Sequence, residues 1–312
     1  MTTTKDIVLD ATGLTYSYGD RPALDGVGFT VVRGQAHSFL GPNGSGKSTL
    51  FKLLATILPV QGGSARILGL DLATQVAAVR EKIGVVFQSP ALDRKLTVRQ
   101  NLTYGGHLYG MRGSKLASRI DEVLVHTGLR DRAGERVEHL SGGLKRRVEL
   151  AKGLLAKPEL ILLDEPATGL DPGARKDLWQ FLRHQEGLTI LVTTHLMEEA
   201  ELTDQITILH RGVVVGEGTP EALKQEVGAE LLELTCDDPA AVLSELKTRF
   251  DIEGLVLDHS VRIRVDNAHR LVGDLVDALG DRLDRVTLSH PSLEDVYIEK
   301  TGHRFWAEKA GA

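Results

Sequence analysis

Between an apolar, β-like run from Ala36 to Leu40 and a helical stretch from Ser48 to Leu58 lies Gly41-Pro42-Asn43-Gly44-Ser45-Gly46-Lys47-Ser48-Thr49. This run fits the phosphate-binding pattern G-x-x-x-x-G-K-[ST]. The pattern is demanding, because a buried strand must deliver the loop and a helix must start at its end. The glycines let backbone N–H groups converge on phosphate oxygens, and the helix N-terminus adds positive potential. Lys47 would neutralise β- and γ-phosphates, and Ser48 would bind Mg²⁺. Leu50, Phe51, Leu54 and Leu58 give the following helix its apolar stripe. A Gly-rich turn with a surface lysine would need neither neighbour.

A second feature supports the same chemistry. Leu160-Ile161-Leu162-Leu163 runs directly into Asp164-Glu165-Pro166. A buried parallel strand would deliver both carboxylates to its C-terminal edge, where open α/β sheets bind ligands. Asp164 suits the Mg²⁺-linked acid, and Glu165 suits a base for an attacking water. Alone, the stretch reads equally as a strand followed by a solvated acidic turn. With the phosphate loop it indicates a nucleotide hydrolase.

The remaining pattern places these motifs in an α/β frame. Ile7 to Leu9, Phe29 to Val32 and Ile83 to Phe87 read as strands. From about 90 to 156 the pattern is helical, with a capping box at Thr97-Val98-Arg99-Gln100. Strand character returns at Ile161 to Leu163 and Thr189 to Thr193. Ile206 to Leu209 and Val213 to Val215 form a hairpin around Arg211-Gly212. The expected first domain, residues 1–226, is a mainly parallel sheet with an antiparallel β subdomain and a helical insertion. Residues 227–312 read β-α-β-β-α-β, a small α+β ferredoxin-like domain.

Composition narrows the partners. The chain has 312 residues, with 37 Lys plus Arg against 43 Asp plus Glu, a net charge of −6. Nucleic-acid binders usually carry a basic surplus, so no nucleic-acid partner is expected. One cysteine, Cys236, excludes an internal disulfide and reads as a small apolar residue at a strand end. Met1 to Asp10 lacks a basic start followed by an apolar run, so no secretory signal is expected. No window approaches the roughly 18 uninterrupted apolar residues of a membrane span. Any spanning would fall to another chain.

Leu140-Ser141-Gly142-Gly143 precedes Leu144, Val148, Ala151 and Leu155 at helical spacing. This would be a second anion site at a helix N-terminus, without an obvious ligand in its own chain. An isolated Ser-Gly-Gly reads better as a plain N-cap. In this order of motifs, however, residues 5 to 225 resemble the ATP-binding subunits of ABC transporters, and Leu140 to Gly143 resembles their signature. The resemblance implies further roles. Gln88 matches the glutamine-loop residue that senses Mg²⁺ and the membrane partner, and Gly169-Leu170-Asp171 matches the D-loop. His195 matches the switch histidine. Tyr18 matches the aromatic that stacks on adenine, although Tyr16 would share its strand face and one of the two should be core.

The resemblance thus implies an ATP hydrolase using Mg²⁺. Glu165, His195, Lys47 and Gln88 would serve hydrolysis. Tyr18, the loop Gly41 to Thr49, Ser141, Gly142, Gly143 and Asp171 would contact nucleotide, and Ser48, Gln88 and Asp164 the metal. One loop and one signature per chain imply a head-to-tail dimer, expected to be a homodimer, beside separate permease subunits at the inner face of the membrane. Leu144 departs from the glutamine that often follows the signature. With Ala91 to Leu102 and Pro291 to Tyr297 it resembles ATPases of ABC-2-type exporters. Two other classes fit less well. A soluble ABC ATPase of DNA repair or translation usually carries a long coiled coil or two ATPase units. A GTPase would need an Asn-Lys-x-Asp motif, which is missing here.

Overall fold

The computed structural model describes residues 7–185, 187–228, 230–265 and 268–305. The chain divides into two compact units, Met1–Val214 and Val215–Ala312. The first begins with β1 (Ile7–Tyr18) and β2 (Arg21–Val32), a long antiparallel hairpin. The short strands expected at Ile7 and Phe29 are only parts of it. After β3 (Ala36–Leu40) and α1 (Lys47–Leu54) come β4 (Gly62–Ile67) and β5 (Leu70–Asp71), which complete an antiparallel sheet in the order β2-β1-β4-β5. Helix α1 stops four residues before the expected Leu58, because Thr56 takes a left-handed backbone, φ 60°. Leu58 still packs on the same core from outside the helix.

Helix α2 (Val76–Lys82) leads to β6 (Ile83–Val86), and the helical insertion follows as α3 (Val98–Leu108), α4 (Gly113–His126) and α5 (Gly142–Leu154). The predicted capping box starts α3: Thr97 Oγ1 accepts from the Gln100 N–H, and the Gln100 side chain accepts from the Thr97 N–H. Val98, Leu102, Ile120, Leu124 and Val148 bury themselves in a separate core for the insertion. Then come β7 (Leu160–Asp164), α6 (Pro172–Arg183), β8 (Thr189–Thr194), α7 (Met197–Ala200), β9 (Gln205–His210) and β10 (Val213–Gly218). Arg211 and Gly212 both take positive φ, 48° and 84°, as a tight two-residue hairpin turn requires.

The second sheet runs β10-β9-β3-β8-β7-β6. The neighbours from β9 through β6 pair in parallel. Strands β3, β7 and β8 are buried along their whole length, which accounts for their unbroken apolar character. Their parallel alignment brings the ends of β3, β8, β7 and β6 to one sheet edge. The phosphate loop, His195, the two acids and Gln88 follow those four ends in turn.

The second unit contains α8 (Pro220–Val227), β11 (Glu230–Thr235), α9 (Pro239–Phe250), β12 (Gly254–Leu257), β13 (Ser260–Val265), α10 (Ala268–Leu279), β14 (Arg285–Ser289) and α11 (Leu293–Thr301). Its antiparallel order, β12-β13-β11-β14, is the ferredoxin-like arrangement expected. Helix α8 packs on α11 and so groups with this unit, whereas the sequence puts the boundary after α8, near 226. Cys236 is buried just past the end of β11.

Candidate active site

The loop after β3 leaves no room for a side chain at Gly41 or Gly46. A Cβ on Gly41 would lie 2.4 Å from the Leu209 carbonyl oxygen, and Gly46 takes φ 104° immediately before α1. Lys47 is buried, and its Nζ donates to the Gly41 and Pro42 carbonyls at 2.7 and 2.9 Å. Burial lowers its pKa to about 8, against the opposing pull of Glu165 and Asp164. Among the described residues the buried Ser45 hydroxyl has no hydrogen-bond partner, so the loop keeps unspent polar capacity.

Asp164 and Glu165 leave β7 in opposite settings. Burial raises the Asp164 pKa, partly offset by Thr193, whose Oγ1 donates to Asp164 Oδ1 at 2.5 Å. Burial would also raise that of Glu165, but the His195 ring, Lys47 and Thr168 together hold it below its ordinary value. His195 Nδ1 lies 3.2 Å from Glu165 Oε1, and Gln88 Nε2 donates to Glu165 Oε2 at 2.8 Å. The Glu165 backbone sits in the left-handed region, φ 44°, at a cost on the order of 1–3 kcal/mol for a residue other than glycine. Neighbouring structure therefore holds this carboxylate in place.

A cavity of about 1000 Å³ is lined by Lys47, Ser48, Thr49, Gln88, Glu165 and Tyr18 among others, while Asp164 and His195 adjoin Glu165 outside its lining. Tyr16 is the core member of the tyrosine pair, with its ring centroid 5.0 Å from that of Tyr18, which stays half exposed at the cavity wall. Ser141, Gly142, Gly143 and Asp171 do not line this cavity. Ser141 is the exposed N-cap of α5, its Oγ accepting from the Leu144 N–H at 3.4 Å. Asp171 caps α6 through the Ala174 N–H at 3.0 Å. Leu144 packs on the core of the insertion.

Oxygen donors at Ser48, Gln88 and Asp164 suit a hard cation that keeps most of its ligands as phosphate and water. Among the described residues, no cluster of three or more His, Cys, Asp or Glu side chains forms a self-sufficient metal site.

Sequence reasoning missed several buried charged residues, among them Arg146 and Glu149 on α5 and Glu199 on α7. Glu199 is fully buried, with Oε1 accepting from Trp179 Nε1 at 3.2 Å. Desolvation raises the Glu199 pKa from 4.5 to about 7, opposed by hydrogen bonds from Thr194 and Trp179 and by the charges of Arg175 and Arg146. A carboxyl that binds its proton more tightly when folded contributes stability below the unfolded pKa, lost as pH rises through about 7. The shift corresponds to roughly 3 kcal/mol. Glu199→Gln, which keeps the acceptor for Trp179, should flatten the fall in unfolding free energy between about pH 5 and pH 8. Denaturant melts at both pH values check this, and an unchanged slope would mean that Glu199 carries none of it.

A family model described as "ABC transporter" matches residues 24–168. The daunorubicin resistance ATP-binding protein DrrA3 of Streptomyces coeruleorubidus is 36% identical over 306 residues, covering 95% of this chain and 96% of that protein. The Nod factor export ATP-binding protein I of Rhizobium meliloti strain 1021 is 36% identical over 309 residues, covering 95% and 88%. Among solved structures, a dimeric ATP-binding cassette in a post-hydrolysis state with ADP and Pi is similar at 28% identity. It gives a TM-score of 0.60 and covers 68% of this chain and 98% of its own.

Proposed function

The chain belongs to the family of ABC transporter ATP-binding subunits and is an ATP hydrolase of that class; we propose that it works as a homodimer powering export through a separate permease. Export follows the named roles of its relatives, Nod factor export and daunorubicin resistance, while the substrate of this chain is unidentified. Those relatives also set aside a role in DNA repair or translation. Among the described residues no helix is long and apolar enough to cross a membrane, so the reading assigns the spanning to a partner and this subunit to the inner membrane face.

The observation that carries the dimer is the split between the two anion-binding features. Lys47, Ser48 and Glu165 line one cavity, while Ser141 caps α5 away from it. A head-to-tail pair would bring Ser141, Gly142 and Gly143 of one subunit to the γ-phosphate held by Lys47 of the other, and symmetry would form two such sites. The solved relative described as dimeric supports pairing of such subunits.

In this reading the N–H groups of Gly41 to Thr49 cradle the phosphates, Tyr18 stacks on adenine, and Lys47 turns from its own loop carbonyls to the phosphate charge. Ser48, Asp164 and Gln88 would hold Mg²⁺, which supplies charge neutralisation at the phosphates when bound. Glu165, kept ionised by His195 and Lys47, accepts the proton of the attacking water. Gln88 and His195 hold that carboxylate in place, and Asp171 braces α6 at the interface. Loss of the γ-phosphate removes the partner's anchor and loosens the dimer. A composite site makes turnover rise more steeply than linearly with protein concentration while the dimer is weak. Phosphate release over a dilution series tests this, and strict linearity in a demonstrated monomer would overturn the dimeric mechanism.

A further inference from the structure

The helix that starts at Ser141 carries a buried arginine with an unusual set of acceptors. Arg146 Nε donates to the Pro166 carbonyl at 3.0 Å, and Nη2 to the Asp164 carbonyl at 3.0 Å. These carbonyls flank Glu165, whose backbone is held in the left-handed region. The same guanidinium donates through Nη1 to the Phe87 carbonyl at 2.7 Å, one residue before Gln88. Nη1 also donates to Glu149 Oε2 at 2.8 Å, and both side chains are buried. Glu149 Oε1 in turn accepts from the Ala91 N–H at 2.9 Å, and Lys152 Nζ donates to the Ala91 carbonyl at 2.5 Å. Arg146, Glu149 and Lys152 all lie on α5. One helix therefore grips the segment around Gln88 at Phe87 and Ala91, and grips the Glu165 backbone on both sides.

We propose that Arg146 is a positioning residue for hydrolysis, fixing the Gln88–Glu165 pair from the helix whose N-terminus meets the partner's nucleotide. The proposal rests on the reading of Glu165 as the base. Its physical ground is the planar guanidinium, which presents several fixed N–H donors at once. A lysine at the same place offers one point charge and cannot span three carbonyls. A buried charge is retained here because each contact is satisfied, and because α5 couples an exposed contact point, Ser141, to the residues around the reacting water. A shift of the helix on engagement by a partner subunit would then be felt at Gln88 and Glu165 together.

The test uses Arg146→Gln and Arg146→Lys in the full chain, with thermal melts to establish folding. Turnover should fall about 10- to 100-fold in kcat, with KM for ATP within about threefold, since phosphate binding stays with the Gly41–Thr49 loop. Arg146→Lys should recover only a small part of the loss. A double-mutant cycle with Gln88→Ala supplies a reading that a purely structural arginine would not move. The Gln88→Ala effect on kcat should shrink several-fold in the Arg146→Gln background, because the two act as a unit. If Arg146→Gln folds and turns over at the parental rate, or if the two effects multiply independently, the proposal fails. Failure of both variants to fold would make Arg146 a folding residue and would also overturn it. Parental turnover in Glu165→Gln would instead overturn the base assignment, so the two failures are distinguishable.

Discussion

Glu165→Gln is expected to bind ATP as the parent does and to hydrolyse it about 10²-fold more slowly or worse. Glutamine keeps the shape of the side chain and can still hold a water. Its amide cannot accept a proton or supply negative charge, and it ends the attraction to His195 and Lys47 that keeps the parent carboxylate ionised. With ATP persisting at the interface, the dimer should accumulate. Asp164→Asn should behave differently. The Asp164 carboxylate is held by Thr193, and its proposed partner is the metal rather than the water. Losing its charge should weaken the metal–nucleotide complex itself and leave no trapped dimer. Size-exclusion chromatography with Mg²⁺-ATP beside a phosphate-release assay reads both variants. Hydrolysis by Glu165→Gln at the parental rate would remove the base from the mechanism.

Lys47→Ala should lose tight ATP binding. The ammonium is the one charge of the phosphate loop itself, and burial has already removed much of its competing hydration. The loss should be at least about 100-fold in Kd, the scale of one buried charge-assisted contact, roughly 3 kcal/mol. The depressed pKa adds a pH signature. Lys47 titrates near 8 in the free chain, and only its protonated form carries the charge that phosphate needs. Parental affinity should therefore weaken as pH rises above about 8, and the alanine variant should lack that step. Titration with a fluorescent ATP analogue at several pH values checks both statements. Unchanged affinity in Lys47→Ala would remove the phosphate-loop assignment.

The site residues were legible where their chemistry is local. The phosphate loop needs glycines, a lysine and a hydroxyl in consecutive positions, and a strand and helix on either side. All of that lies within one short stretch of sequence. Asp164-Glu165 is readable for the same reason, as the end of an unbroken apolar strand. Strand length was less legible, since Gly13 and Gly26 interrupt the apolar pattern inside β1 and β2. In the structure both glycines sit at positive φ within a continuous, bulged hairpin. Helix α1 misled in the other direction. Its apolar stripe continues to Leu58, but the left-handed Thr56 turns the chain away first.

The sequence by itself determined the fold class, the phosphate loop, the pair of acids and the ferredoxin-like order of the second unit. Each of these is a periodic or contiguous pattern. Tertiary structure alone decided which tyrosine is core, because Tyr16 and Tyr18 share one strand face and only packing separates them. It also decided that Ser141 caps α5 away from the cavity that Lys47 lines. Arg146 is the clearest case. Its acceptors Phe87, Asp164 and Pro166 lie 59, 18 and 20 residues away along the chain. No local pattern can distinguish it from its neighbour Arg147, which stays partly exposed and pairs with Asp177. The difference is set by which face of α5 meets the ends of β6 and β7.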